Sequence, residues 1–118
     1  RDAEADSAQN TGGTLALCFN YGGTREITDA VKAIVASGVS ADDVDEKLVA
    51  DNLYHPDIPP VDFMIRTSGE QRISNFMLWR MSYAELYFAK PHWPALTTED
   101  IDEALAEFAR RNRRFGGN

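Results

Sequence analysis

The chain has 118 residues, a formal net charge of −7, 43% hydrophobic residues and 26% charged ones. That length holds one domain and not two, and the composition is globular rather than fibrous or disordered. No apolar run approaches the ~20 residues that cross a bilayer, which predicts a soluble chain, and a field of this sign repels nucleic acid.

Any anionic ligand must therefore be held by a local group of cations. Arginines do cluster, at Arg66, Arg72 and Arg80, and again at Arg110, Arg111, Arg113 and Arg114. Acidic residues concentrate elsewhere, from Asp42 to Glu46 and from Glu99 to Glu107. Cys18 is the sole cysteine. One thiol cannot form an internal disulfide, which fits a reducing, cytosolic setting. There is no secretory signal-peptide pattern. The first residue is Arg1 rather than methionine, which predicts that a further segment precedes it.

Residues 1–9 are polar and alanine-rich and read as the tail of a helix, stopped by Asn10-Thr11-Gly12-Gly13. Leu15 to Phe19 is a short continuous apolar run, which predicts a strand buried on both faces of a parallel sheet. Gly22-Gly23 ends it, and Thr24 is placed to cap the next helix. Ile27, Ala30, Val31, Ile34 and Val35 then mark one helical face, and Gly38 stops it. Ser40 is placed to cap a second helix with Val44, Leu48 and Leu53 inward. His55 to Pro60 reads as a loop.

Val61 to Arg66 predicts a second strand and Thr67-Ser68-Gly69 a turn. Ser74 is placed to cap a short helix from Asn75 to about Met81. Leu86 to Phe88 predicts a third strand. Thr97 or Thr98 caps a last helix with Ile101, Ala104, Leu105 and Phe108 buried, its arginines in the last turn and Gly116-Gly117 at its end. Strands alternating with helices give an α/β fold with a mainly parallel sheet flanked by helices. Three strands make a narrow sheet, which points to a portion of a larger domain.

Chemistry concentrates in Ile65-Arg66-Thr67-Ser68-Gly69-Glu70-Gln71-Arg72-Ile73-Ser74-Asn75. This stretch runs from a strand end, through a glycine turn, into a predicted helix start. Ligands in open α/β sheets sit beyond the carboxyl ends of strands, and helix N-termini offer free N–H groups to anions. Guanidinium groups bind phosphate oxygens bidentately. Two arginines and a serine there would hold a diphosphate. The same residues also admit a plainer role, in which Arg66 and Arg72 pair with Glu70, Asp62 or surface acids and Ser74 only caps a helix.

The wording of the segment goes further. Ile65 to Phe76, followed by Trp79 and by Tyr83-Ala84-Glu85-Leu86-Tyr87-Phe88, closely resembles the cis-prenyltransferase family in its undecaprenyl diphosphate synthase-like branch. Asn20-Tyr21-Gly22-Gly23 and Arg113-Arg114-Phe115-Gly116-Gly117 match two further family motifs in the right order. The resemblance covers essentially all 118 residues and implies the C-terminal half of that catalytic domain.

It implies condensation of isopentenyl diphosphate onto an allylic prenyl diphosphate, with a cis double bond at each addition, giving a polyprenyl diphosphate for a cell-wall lipid carrier. By this resemblance Arg66, Arg72, Ile73 and Ser74 hold the diphosphate of isopentenyl diphosphate, Glu70 orients the arginines, and Asn20 and Arg114 touch substrate. Glu85 resembles the family's Mg²⁺ carboxylate. A homodimer, cytoplasmic and peripheral at the inner face of the membrane where its product resides, is implied as well.

Gln71 replaces a histidine often found at that place in the family, and Thr24 replaces an arginine. His55 and His92 lie in proline loops and read as structural. Met64, Phe76, Met77, Leu78 and Trp79 read as core or dimer interface. The family's catalytic aspartate string, Asp-Gly-Asn-Gly-Arg, does not occur, so the chain alone is expected to lack transferase activity. Two rival readings are a non-catalytic partner subunit of a prenyltransferase and an unrelated phosphate-binding module.

Overall fold

The structure, a computed structural model, describes residues 2–111. Local signals account for most of its helices. Helix α1 is Asp2–Ser7, and a long irregular stretch follows it. Helix α2, Gly23–Ser37, ends on Gly38, whose φ of 74° is the left-handed conformation that glycine adopts without a Cβ penalty. A 3₁₀ turn, Ala41–Asp43, precedes α3, Glu46–Asp51. Asp45, not Ser40, caps α3, accepting from the Leu48 N–H at 2.7 Å. Helix α4, Thr98–Arg110, opens on a capping box in which Thr97 and Asp100 satisfy each other's backbone N–H groups. Its expected end at Gly116-Gly117 lies outside the described residues; the helix stops at Arg110.

Two strands form the sheet among the described residues: β1, Phe63–Arg66, and β2, Glu85–Phe88. They run parallel, with Phe63 opposite Glu85 and Arg66 opposite Phe88. With its flanking helices this is the expected α/β arrangement. Phe63 stacks on Phe108 of α4 with ring centroids 4.7 Å apart, which seats α4 against the sheet.

Leu15 to Phe19 is not a strand. Leu15, Leu17 and Phe19 are 83%, 68% and 85% exposed. A parallel strand exists only through neighbours that take up its N–H and C=O groups, and neither β1 nor β2 pairs with this stretch. The apolar run is real, but nothing pairs with it among the described residues.

The predicted helix at 75–81 is also absent. Ser74, Asn75 and Met77 have φ of 48°, 63° and 44°, which interrupts right-handed coiling three times. The cause is Asn75. Its carbonyl accepts from Gly23 N–H at 2.7 Å and its side-chain oxygen from Thr24 N–H at 2.8 Å. Asn75 thus satisfies two free N–H groups at the start of α2, the work expected of Thr24. The helix begins at Gly23 with Gly22 as its cap residue. A Cβ on Gly22 would stand 2.9 Å from Asn75 Nδ2, and one on Gly23 2.9 Å from the Leu78 backbone nitrogen. The Gly22-Gly23 pair is therefore small because another chain segment lies on it.

Helix α2 buries Glu26, Ala30 and Ile34, while Val31 and Val35 face outward. Glu26 is 1% exposed and pairs with Arg80, 6% exposed, at 2.7 Å. Arg80 also donates to the carbonyls of Tyr54 at 2.6 Å, His55 at 3.0 Å and Ile58 at 3.3 Å. Tyr21 donates its hydroxyl to Glu26 Oε2, and Glu26 Oε1 accepts from Tyr54 N–H at 3.2 Å. Arg80, grouped by sequence with Arg66 and Arg72, thus serves the core.

Gly23→Ala is expected to cost about 1–3 kcal/mol through overpacking against Leu78. Gly12→Ala, with nothing within 4 Å of the new Cβ, leaves stability within about 0.5 kcal/mol. Urea denaturation of the two variants reads the contrast, and equal midpoints would contradict the packing account.

Burial pushes the Tyr21 phenol well above the usual tyrosine range, and its hydrogen bond to Glu26 adds to the effect. The group is thus raised in the folded state. Its stabilisation is complete below the unfolded value of about 10 and is lost as pH climbs from there toward the folded value. Tyr21→Phe is expected to be less stable at neutral pH yet to lose stability less steeply between about pH 9 and 11. Parallel alkaline profiles for the two proteins would refute this.

Candidate functional site

The site is built at the carboxyl end of β1. Arg66 is the last strand residue, and its side chain is one-quarter exposed. Two residues with positive φ follow, Ser68 at 72° and Gly69 at 66°, and they turn the chain back on itself. Glu70 consequently comes within reach of two guanidinium groups. Its Oε2 lies 3.7 Å from Arg66 Nη2 and is paired closely with Arg72 Nη2. Arg66 Nη1 donates to Ser74 Oγ at 2.9 Å and to the Arg72 carbonyl at 2.6 Å.

Arg66, Glu70, Arg72 and Ser74 therefore converge. Two guanidiniums and one carboxylate give the group a local charge of +1 in a chain of −7. No helix starts at Ser74, so no helix N-terminus faces this group. Arg72 is the most exposed of the charged three, at 63%, and is free to exchange Glu70 for another oxygen partner.

Beside Arg66 lies a recess of about 210 Å³ lined by Met64, Ile65, Arg66, Thr67, Ile73, Phe76 and Met81. Apart from Arg66 and Thr67, this lining is apolar. Ile73 was singled out from sequence for its place next to a phosphate; the structure puts it on the wall of this recess.

Asn20 is not part of that lining. It has a φ of 51° and borders a second, polar groove of about 530 Å³ with Tyr21, Gly22, Arg25, Asp29 and Tyr54. There the Tyr54 hydroxyl, and then the Arg25 guanidinium at 2.8 Å, hold the Asp29 carboxyl down to about 2.

Glu85, the expected Mg²⁺ ligand, starts β2. Its Oε2 accepts from Arg111 Nη1 at 3.0 Å. Arg111 also donates to the Leu86 carbonyl at 2.9 Å and to Glu107 at 3.2 Å. The Glu85 and Glu107 carboxylates raise the Arg111 guanidinium further above its ordinary value. No group of three His, Cys, Asp or Glu side chains able to hold a metal occurs among the described residues. A single carboxylate already paired with a guanidinium does not by itself fit Mg²⁺, which demands near-octahedral oxygen coordination. Arg114 lies outside the described residues.

Four participants were missed from sequence. Asn75 read as the first residue of a short helix, and its left-handed backbone and remote partners left no local signal. Arg111 read as a dipole-complementing cation, and nothing in a 26-residue separation announces its bond to Glu85. Ser68 read as a turn residue and His92 as a loop residue, yet His92 Nδ1 and Ser68 Oγ stand 3.0 Å apart.

A family profile described as "Putative undecaprenyl diphosphate synthase" matches residues 1–116. The chain belongs to this prenyltransferase family. It is 48% identical over 119 residues to the ditrans,polycis-undecaprenyl-diphosphate synthase, (2E,6E)-farnesyl-diphosphate specific, of Aliivibrio fischeri, covering 98% of this chain and 46% of that one. It is 45% identical to the isoprenyl transferase of Listeria innocua, covering 98% and 47%. Among solved structures, lavandulyl diphosphate synthase from Lavandula x intermedia, in complex with dimethylallyl diphosphate, superposes with a TM-score of 0.89 at 35% identity, over 98% of this chain and 51% of that one. A "probable undecaprenyl diphosphate synthase" from Campylobacter jejuni gives 0.72 at 36% identity, over 83% and 45%. The chain thus spans about half the length of the relatives it matches. No helix of the described residues is long and apolar enough to cross a membrane.

Proposed function

We propose that this chain supplies the isopentenyl diphosphate side of a cis-prenyltransferase, as the C-terminal half of the catalytic domain. The observation that carries the reading is the sharing of Arg66 between a phosphate-gripping cluster and an apolar recess. A charged head and a short hydrocarbon tail are the two chemical features of isopentenyl diphosphate. The guanidinium of Arg66 and the hydroxyl of Ser74 take phosphate oxygens, and Arg72 joins them by leaving Glu70. Met64, Ile73, Phe76 and Met81 line the space for the five-carbon unit.

In the full reaction the bound isopentenyl unit forms a carbon–carbon bond to the allylic chain, whose diphosphate departs, and a proton lost from the isopentenyl unit leaves the new double bond. This chain's residues hold and orient the acceptor. Positioning of that kind lowers the entropic part of the barrier. Glu85 would offer Mg²⁺ one oxygen only by leaving Arg111, and a cation held there would neutralise charge on the departing diphosphate. On this reading the allylic site and the catalytic aspartate belong to other residues than these; the support is that the chain spans about half the length of the relatives it matches. Assembly as a homodimer, a cytoplasmic location peripheral to the membrane and a product serving as cell-wall lipid carrier belong to the same reading.

Isothermal titration with isopentenyl diphosphate tests it. Binding is expected, weakened about tenfold or more in Arg66→Ala, and weaker for inorganic pyrophosphate, which leaves the recess empty. Equal affinity of Arg66→Ala and the unsubstituted chain would overturn the assignment. With Mg²⁺ and an allylic diphosphate added, the 118 residues are expected to show no chain elongation; turnover would refute the half-site reading.

A further inference from the structure

We propose that His92 is a positioning residue for the diphosphate-gripping cluster, acting through Ser68; this rests on the function proposed above. The turn between Arg66 and Glu70 has to reverse sharply for Glu70 to face the guanidiniums. It does so with two consecutive positive-φ residues, and only the second is glycine. A serine adopts such a backbone rarely, so something outside the turn must select it.

That selection comes from the segment after β2. Ser68 N–H donates to the Pro91 carbonyl at 2.7 Å, and Gly69 N–H to the Ala89 carbonyl at 2.9 Å. The Ser68 hydroxyl lies 3.0 Å from His92 Nδ1. The anchoring segment is itself fixed. Ala89 is buried and donates its N–H to the Arg66 carbonyl at 2.7 Å. His92 caps the 3₁₀ turn Trp93–Ala95, its carbonyl accepting from Ala95 N–H at 2.8 Å, and prolines flank it at 91 and 94. An imidazole held this way loses little freedom on bonding.

The backbone bonds tie the two loops together, but only the side-chain bond is specific to a serine in this conformation. His92 therefore reaches the phosphate-gripping group at second hand. It holds Ser68, Ser68 sets the turn, and the turn sets where Glu70 and Arg72 stand relative to Arg66.

Isothermal titration of the 118-residue chain with inorganic pyrophosphate tests this, with Arg66→Ala as the control for the cluster itself. Both His92→Leu and Ser68→Ala are expected to weaken binding about three- to tenfold, the worth of one neutral hydrogen bond. Ser68→Gly should bind within about twofold of the unsubstituted chain, because glycine accepts the positive φ freely and needs no selection by His92. His92→Asn, which keeps a polar atom near the Nδ1 position, should return to within about twofold. Amide exchange at Ser68 and Gly69 should quicken in His92→Leu and not in His92→Asn. Full affinity in His92→Leu and Ser68→Ala, with binding lost in Arg66→Ala, would overturn the positioning role and leave the cluster's role standing. No binding of pyrophosphate by the unsubstituted chain would overturn both.

Discussion

The buried pair of Glu26 and Arg80 is the constraint on which the rest of the molecule hangs. Two full charges sit almost out of reach of water, and taking them there is costly unless every hydrogen-bonding position is used. They are well used. Arg80 spends its guanidinium on Glu26 and on three backbone carbonyls of the loop after α3, while Glu26 takes the Tyr21 hydroxyl and the Tyr54 N–H. One ion pair thereby joins α2, the loop after α3 and the segment leading into β2. Its geometry admits one arrangement of these three pieces, because any sliding strands a buried charge. The Arg80 carbonyl accepts from Val61 N–H at 2.9 Å, so the pair also fixes where the chain enters β1. The position of Arg66 at the other end of that strand follows from it.

A second cross-connection places the site's far wall. The Gly22-Gly23 motif and the Ser74-Asn75 motif are one contact: Asn75 caps α2, and glycine is needed where Asn75 and Leu78 lie on the helix start. Capping a remote helix commits Asn75 to a positive φ and prevents residues 75–81 from coiling. Phe76 then turns toward Tyr21, with ring centroids 5.8 Å apart, and stands on the edge of the recess beside Arg66. What looked in sequence like two separate signatures is a single packing solution.

This explains which parts of the fold and site were legible in the sequence. Helix α2 with its Gly38 stop, and α4 with its Thr97 cap, were readable because their determinants lie within a few residues of one another. The strands β1 and β2 were readable as short apolar runs. Residues 75–81 were misread because the competing interaction comes from Gly23 and Thr24, far away in sequence. Leu15 to Phe19 was misread because composition reports a wish for burial and not the presence of a neighbour. In the site, the convergence of Arg66, Arg72 and Ser74 came from the wording of the motif. The supporting roles of Asn75, Arg111 and His92 depend on contacts across 24 to 51 residues, which no local pattern encodes.

The charges of the cluster argue for a site that grips by exchange. Glu70 occupies the space between Arg66 and Arg72 and keeps two like charges together in the absence of an anion. A diphosphate brings more negative charge and more acceptor oxygens than one carboxylate, so on the proposed function it would displace Glu70 rather than add to it. Gripping a phosphorylated unit is thus within the means of these residues alone. Enclosing its hydrocarbon is not, because the recess stays open and three large apolar side chains at 15, 17 and 19 face solvent. Activating a leaving group is not either, because Glu85 is spent on Arg111. On the reading proposed here, binding and turnover reside in different stretches of polypeptide, and the open apolar surfaces mark the seam between them.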